Sequence, residues 1–270
     1  MPRRAGSPEE LARRVAAAYT RAMKLAVLVL LAACQQGAGS GDDYPPGTGG
    51  PVIIGGGGSG GGGDAGTGDA GTALRGRVCL LTDLRRVGDS TACAGVGANN
   101  LVVSLGTRTA TTAGDGSFTI VAPLGGGLTW HVTGAQIVTS VMPFGADTTL
   151  PAISDLVYGE LLSTNLVTLA DQQGSIVVRV VSGVTPVSGT TATSIPAPPR
   201  LALYDGNNAT VWTENRVGTG LRGIAWFADV PLAATGATLA TITLTPRGGS
   251  PVPAVPVENQ AITFVTQDTQ

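Results

Sequence analysis

The hydrophobic and polar positions of the chain follow three patterns in succession. An apolar run from Leu25 to Leu30 continues into Leu31-Ala32-Ala33-Cys34. From Gln35 to about residue 73 the chain lacks hydrophobic periodicity and is rich in Gly, Ser, Asp, Thr and Pro. Short alternating runs separated by turn residues then continue toward the C-terminus. The pattern predicts an apolar N-terminal segment, a tether that cannot form a core, and an all-β remainder.

The apolar run has the features of a secretory signal. Lys24 precedes it, small residues end it, and about a dozen apolar residues are too few to span a bilayer. The motif Leu31-Ala32-Ala33-Cys34 resembles the lipobox of bacterial lipoproteins. That resemblance implies removal of residues 1–33, with Leu31, Ala32 and Ala33 forming the cleavage signal, and lipidation of Cys34. The lipid would anchor the protein to the membrane, and Gln35 after the cysteine favours the outer membrane.

Other interpretations of this segment are an uncleaved membrane anchor or a buried helix. Both fit less well, because the sequence that follows offers a helix nothing to pack against. The residues before the apolar run are open to two interpretations. Residues 11–21 resemble a short amphipathic basic helix, with Ser7 as its N-terminal cap. This stretch is either a long basic extension of the signal or a segment upstream of the true start at Met23.

Residues 34–73 are predicted to be a disordered Gly-rich tether. Gly55 to Gly63 is interrupted only by Ser59, and the pentapeptide Gly-Asp-Ala-Gly-Thr occurs twice in succession from Gly63. Such a segment cannot bury enough apolar area to offset the entropy lost on ordering. A flexible chain of this length has a root-mean-square reach of roughly 30 to 40 Å.

The first β segment covers residues 74–150. The sequence Gly114-Asp115-Gly116 predicts a two-residue hairpin between its third and fourth strands, since Asp115 and Gly116 can adopt positive φ. The predicted strands are Leu74 to Leu81, Leu101 to Leu105, Arg108 to Thr112, Ser117 to Ala122, Leu128 to Val132 and Gln136 to Val141.

This segment resembles the carboxypeptidase regulatory-like domain, a small transthyretin-like β-sandwich. The resemblance rests on the opening strand around Gly76 and Val78, the Leu101 to Leu105 strand, and the hairpin from Thr111 to Ile120 followed by Pro123. The chain departs from that family in a cysteine-containing insertion, residues 82–100. The resemblance implies a non-catalytic domain of a kind found beside enzymes, receptors and cell-surface proteins.

Residues 151–173 are predicted to connect this segment to a second one, residues 174–270. Ser154 could cap a short helix from Asp155 to Leu162. The second segment repeats the order of the first, which predicts a second, diverged transthyretin-like or immunoglobulin-like sandwich in tandem. Its predicted strands are Ile176 to Val181, Leu201 to Tyr204, Val211 to Trp212, Gly223 to Phe227, Ala240 to Thr245 and Ala261 to Thr266.

The three cysteines agree with an exported protein. If Cys34 carries lipid, Cys79 and Cys93 remain as a pair that could form a disulfide in an oxidising compartment. The alternative is two buried reduced thiols.

Charge and composition exclude some classes of function. Without residues 1–33 the chain has 10 basic and 16 acidic residues, a formal charge of −6, which argues against a nucleic-acid partner. Charged residues at 13% and aromatics at 4% are typical of an all-β secreted protein. The sequence has one histidine, His131, and no Cys-x-x-Cys, and no pattern places a nucleophile beside that histidine. We therefore expect no enzymatic activity of its own, no cofactor and no metal site.

Candidate functional residues are few. The sequence from Gly218 to Gly223 matches Gly-x-Gly-x-x-Gly, but the residues after it read as a strand, so its glycines are expected to serve a hairpin. His131 is expected on a half-exposed strand. Trp212 and Trp226 could line a sugar-stacking face, although core packing is the default for aromatic residues this scarce.

Together the sequence predicts a membrane-anchored envelope lipoprotein that presents β-sandwich domains for structural or binding roles. Its partner beyond the membrane would be an envelope protein or a glycan. The alternatives are an accessory subunit of an envelope enzyme or transporter, and a carbohydrate-binding protein.

Overall fold

Strands dominate the part of the chain that the computed structural model describes, residues 72–269 without 94–97, 124, 146, 207–211, 215–216, 235 and 246–251. The signal segment, Cys34 and the predicted tether up to residue 71 lie outside the described residues. Within that part, no helix combines the length and apolar character needed to cross a membrane. The predicted all-β class is confirmed.

The described strands form three sheets. The first has the order β4-β1-β8-β6, and the third has the order β11-β15-β16. The second, the central sheet, has ten strands in the order β13-β12-β14-β9-β17-β7-β5-β2-β3, with β10 paired to β9. The strands of the N-terminal part are β1 (Ala73–Leu81), β2 (Val102–Leu105), β3 (Arg108–Thr111), β4 (Ser117–Val121), β5 (Thr129–Thr133), β6 (Ile137–Val138), β7 (Ser140–Pro143) and β8 (Thr149–Ser154).

The C-terminal part begins after a helix, α1 (Asp155–Thr164). The predicted helix and its cap are confirmed, since the Ser154 hydroxyl accepts a hydrogen bond of 3.2 Å from the Val157 amide. The strands that follow are β9 (Gln173–Ser182), β10 (Thr185–Pro186), β11 (Thr191–Ile195), β12 (Leu203–Asp205), β13 (Trp212–Thr213), β14 (Ile224–Pro231), β15 (Ala237–Thr245), β16 (Val252–Glu258) and β17 (Ile262–Asp268).

Strand β9 is buried on both faces, which explains its nearly continuous apolar sequence. Ile176, Val178 and Val180 pack in a core shared with residues of β14, β15 and β16. Val177, on the opposite face, packs in a second core with residues of β1, β8 and α1. The central sheet therefore lies between two hydrophobic layers. A third core, around Trp130, joins β1 and β8 to β2 and β5.

The two predicted β segments share this central sheet. Strand β17, the last of the chain, pairs in parallel with β9 over seven residues and with β7 at Ile262 and Thr263. The predicted boundary between residues 150 and 151 falls within β8, which pairs in parallel with β1. The described residues belong to one compact unit. Two separate sandwiches in tandem are therefore not confirmed.

The turn at Gly114-Asp115-Gly116 forms, but the predicted hairpin is wrong. The Ala113 amide donates to the Ser117 carbonyl over 2.8 Å, and Gly116 has a φ of 82°. The strands on either side then separate, because β3 pairs with β2 in the central sheet and β4 pairs with β1 in the first sheet. The turn thus carries the chain from one sheet to another.

The cysteine-containing insertion folds against the end of β1. Cys79 and Cys93 lie at disulfide distance, with 4.5 Å between their Cα atoms, which confirms the predicted pairing. Two short 3₁₀ helices, Leu84–Arg86 and Ser90–Ala92, shape the loop between the cysteines. Leu84 is fully buried and fixes the loop to the core that contains Val177.

Candidate functional site

A cavity lined by described residues lies beside the disulfide-closed loop. Residues 175, 177 and 179 of β9 point to the same side of the central sheet, toward β1 and β8. Ser175 and Val177 are buried there, Arg179 is half-buried, and Val181 continues the same face and is buried again. Thr266 of β17 is the direct neighbour of Arg179 in the parallel pairing, and Phe264 lies two residues earlier on the same face. A guanidinium therefore lies within a largely buried layer of side chains.

The loop backbone covers this guanidinium. Gly88 has a φ of 76°, and a Cβ atom there would come within 2.5 Å of the Arg179 guanidinium carbon. Only glycine combines this left-handed conformation with so close an approach. Arg86 and Asp89 form an ion pair of 3.1 Å on either side of Gly88, and Asp89 also accepts a hydrogen bond of 2.9 Å from the Thr91 amide. The loop thus holds Gly88 directly over Arg179.

We name this space the Arg179 cavity. It has an inner lobe of about 120 Å³ and an adjoining outer lobe of about 430 Å³. The lobes share one wall, formed by Met142, Asp147, Arg179, Phe264, Val265 and Thr266. The inner lobe is completed by Cys79, Leu81, Val87, Gly88, Asp89, Thr149 and Pro151. The cavity combines apolar side chains with one guanidinium, the carboxylates of Asp89 and Asp147 and the hydroxyls of Thr149 and Thr266. A mostly hydrophobic wall with a few polar groups is common in small-molecule sites.

The two predicted stacking residues, Trp212 and Trp226, both belong to the hydrophobic core that contains Val177. Trp226 is 0% exposed and Trp212 is 8% exposed, and their rings pack 5.2 Å apart. The guanidinium carbon of Arg85 lies 5.9 Å from the Trp212 ring centre, and Asp83 holds this guanidinium by an ion pair of 2.5 Å. Trp212 also lines a separate cavity of about 420 Å³ beside α1. A sugar could stack on Trp212 only if Arg85 moved away.

The Gly-x-Gly-x-x-Gly sequence binds an internal carboxylate. Asp205, which is buried at the end of β12, accepts hydrogen bonds from the amides of Gly220 (2.9 Å), Arg222 (2.6 Å) and Ile224 (2.8 Å). A strand, β14, follows the sequence, as predicted. The amides of this turn are therefore occupied by the protein's own aspartate, where a dinucleotide fold would offer them to a phosphate.

His131 connects the central sheet to the third sheet. It lies on β5, and its Nε2 atom is 2.7 Å from Oε1 of Glu258 on β16. The hydrogen bond to this carboxylate raises the pKa of His131 above its ordinary value, against the opposing effect of partial burial. Both side chains are about one-third exposed. The predicted half-exposed strand position of His131 is confirmed, and the histidine forms an ion pair when protonated.

Sequence reasoning missed Arg179 and Asp205, although each left a signal. Arg179 is the only charged residue in the apolar run Ile176 to Val181, and a charge inside a buried strand indicates a special environment. Asp205 directly follows a predicted strand and precedes Gly206. Its pairing with a turn 15 to 19 residues later is a tertiary contact that local patterns do not report.

Replacing Asp205 tests the internal carboxylate. We expect Asp205→Ala to lower the free energy of unfolding by about 3 kcal/mol, because it leaves buried amide donors without an acceptor. Asp205→Asn should cost less, since its carbonyl oxygen can still accept from Gly220 and Ile224. Urea unfolding followed by tryptophan fluorescence measures both changes. The exposed Asp171→Ala serves as the control, and an Asp205→Ala protein as stable as that control would contradict the assignment.

The His131–Glu258 pair predicts a pH dependence of stability. Because the pKa of His131 is raised in the folded state, its contribution is full below about pH 6.5 and is lost as pH rises through the folded pKa. Solvent screening limits this contribution to about 1 kcal/mol or less. The difference in unfolding free energy between the wild type and Glu258→Gln should therefore shrink from pH 5.5 to about pH 8.5. A difference that is constant with pH would contradict the pair.

Comparison with known proteins adds no relative. No family model matches the chain, and neither a curated protein nor a solved structure is significantly similar to it. The resemblance of residues 74–150 to the carboxypeptidase regulatory-like domain therefore stays a prediction.

Proposed function

We propose that the protein is a bacterial envelope lipoprotein, anchored by lipid on Cys34, that presents its β structure for a structural or binding role. The observation that carries this proposal is the motif Leu31-Ala32-Ala33-Cys34 at the end of a short apolar run. The motif joins three requirements of a lipoprotein signal, namely export, cleavage beside small residues and a cysteine to receive the lipid. Gln35 favours retention at the outer membrane.

The disulfide supports an oxidising compartment. Bridged cysteines persist in exported proteins and are rare where thiols are kept reduced. Pairing of Cys79 with Cys93 also leaves Cys34 as the one remaining cysteine in the sequence. Lipidation of Cys34 would thus account for all three cysteines.

The glycine-rich segment suits the role of a spacer. About 39 residues separate Cys34 from the first strand, and a Gly-rich coil of that length reaches roughly 30 to 40 Å. Such a spacer lets a domain move above the membrane surface without ordering the chain. Stable anchoring requires more than one acyl chain, as the lipoprotein resemblance implies, because a single chain binds only marginally.

A non-catalytic role rests on the environments of the candidate groups. His131 is paired with Glu258, and the amides of the Gly-x-Gly-x-x-Gly turn hold Asp205. An accessory subunit of an envelope enzyme or transporter is the alternative for the same anchor and fold. Pull-down from solubilised envelopes distinguishes the two, because an accessory subunit would bring down an enzyme or transporter in stoichiometric amounts.

Lipidation is tested by mass spectrometry of the chain expressed in a bacterium. We expect the mature protein to begin at residue 34 with added acyl mass and to sediment with membranes. The Cys34→Ser variant should carry no acyl mass and leave the membrane fraction. As a matched control, Cys34→Ser with Gln36→Cys keeps a thiol near the same place but breaks the motif, and it should also lack lipid. A wild-type protein that retains residues 1–33 would overturn the proposal.

A further inference from the structure

We propose that the Arg179 cavity is a binding site for the carboxylate of a small aliphatic acid. The inference goes beyond the proposed function and does not depend on the lipid anchor, because every residue of the cavity lies between Cys79 and Thr266. The ligand could be a free short-chain acid or the C-terminal residue of a peptide. Both present the same group, a carboxylate on a small apolar body.

The Arg179 guanidinium has hydrogen-bond donors that its described neighbours do not occupy. Among the described residues, none forms a hydrogen bond or an ion pair with it. The neighbouring carboxylates have other partners, since Asp89 pairs with Arg86 and Asp147 accepts a hydrogen bond of 2.8 Å from the Thr149 amide. A guanidinium has five N–H donors in a planar fork that fits a carboxylate with two parallel hydrogen bonds. Arg179 therefore keeps its donors available at the cavity wall.

The fold also fixes this guanidinium in place. Arg179 lies on a strand that is hydrogen-bonded on both sides, by β14 and β17. Gly88 lies against its guanidinium from above, and the disulfide closes the loop that contains Gly88. A side chain held in this way loses little entropy when a ligand binds.

Among anions, the charge of the wall favours a monoanion over a dianion. Asp147 lines both lobes together with Arg179, and Asp89, whose carboxylate is paired with Arg86, lines the inner lobe. A dianion such as hydrogen phosphate would therefore meet repulsion from these aspartates as well as attraction to the guanidinium. A carboxylate carries one charge and can bind Arg179 while its apolar body turns toward Met142 and Phe264. The hydroxyls of Thr149 and Thr266 lie on the same walls and can donate to the carboxylate.

The size of the lobes limits the ligand. An inner lobe of about 120 Å³ is somewhat smaller than engineered cavities that take up benzene, so it suits a body of about six heavy atoms. The outer lobe of about 430 Å³ is larger and more open. A free acid would need only the inner lobe, whereas a peptide could place its last residue inside and the preceding one in the outer lobe.

The chain contains a convenient reporter for binding. Met142 lines both lobes, and the other two methionines are Met1 and Met23. Labelling of methionine methyl groups with ¹³C therefore gives one methyl signal from the cavity. Its chemical shift is followed during titration of the disulfide-intact full chain with isobutyrate up to about 50 mM, a range suited to the weak binding expected of so small a ligand.

The proposal predicts a saturable shift with isobutyrate and none with isobutyramide, which has the same shape without the charge. Arg179→Gln should weaken the binding of isobutyrate at least tenfold. The affinity of Arg179→Lys should lie between those of the wild type and Arg179→Gln, because an ammonium keeps the positive charge but cannot form two parallel hydrogen bonds to a carboxylate. The exposed Arg75→Gln should bind as the wild type does. The amide spectrum of each variant checks its fold, and the comparison of acid with amide on the wild type does not depend on any variant.

Two further titrations identify the source of the carboxylate and test the assignment. If acetyl-Ala-Ala binds more tightly than isobutyrate and its C-terminal amide does not bind, the ligand is a peptide C-terminus. If isobutyrate binds more tightly than acetyl-Ala-Ala, the ligand is a free acid. Inorganic phosphate that binds more tightly than either would overturn the assignment to a carboxylate. Absence of a saturable shift with both acids, or equal binding by isobutyramide or by folded Arg179→Gln, would overturn the site itself.

Discussion

The pairing of β17 with both β9 and β7 is the interaction on which the described structure depends. The last strand of the chain enters the middle of the central sheet, where it pairs with β9 over seven residues and with β7 at Ile262 and Thr263. Its two faces contribute Phe264 to one hydrophobic core and Val265 to the other. A ten-stranded sheet is thereby completed by residues that are more than 110 positions away from β7 in sequence. Without β17 the two halves of this sheet would have no shared hydrogen bonds.

The same pairing positions the Arg179 cavity. The register that places Thr266 beside Arg179 also puts Phe264 on the cavity wall, and Met142 comes from β7 on the other side of β17. The opposite wall comes from β1, β8 and the loop closed by Cys79 and Cys93. The cavity thus lies where the two predicted β segments meet, and its residues come from both. Neither segment contains the site by itself.

The sequence predicted what depends on local patterns and missed what depends on long-range pairing. Short runs rich in apolar and β-branched residues located β1 and β9, Ser154 marked the start of α1, and Gly114 to Gly116 marked a turn. The sequence did not predict which strands pair with each other. For example, β3 and β4 flank a tight turn, yet they belong to different sheets. Likewise, Asp205 and Arg179 acquire their roles only when distant elements, the Gly220 turn and the loop around Gly88, are packed against them. Short runs such as β8, which has Pro151 and Ala152 among its apolar positions, carry too weak a pattern to be identified.

Hydrogen exchange measured by mass spectrometry at increasing urea tests most directly whether the two halves form one structure through β17. If the shared sheet is a cooperative unit, the amides of β5 around Trp130 and those of β14 around Trp226 should reach the same free energy of opening and the same dependence on urea. Two distinct free energies, with one half exchanging through its own unfolding while the other stays protected, would contradict the account and favour two independent domains.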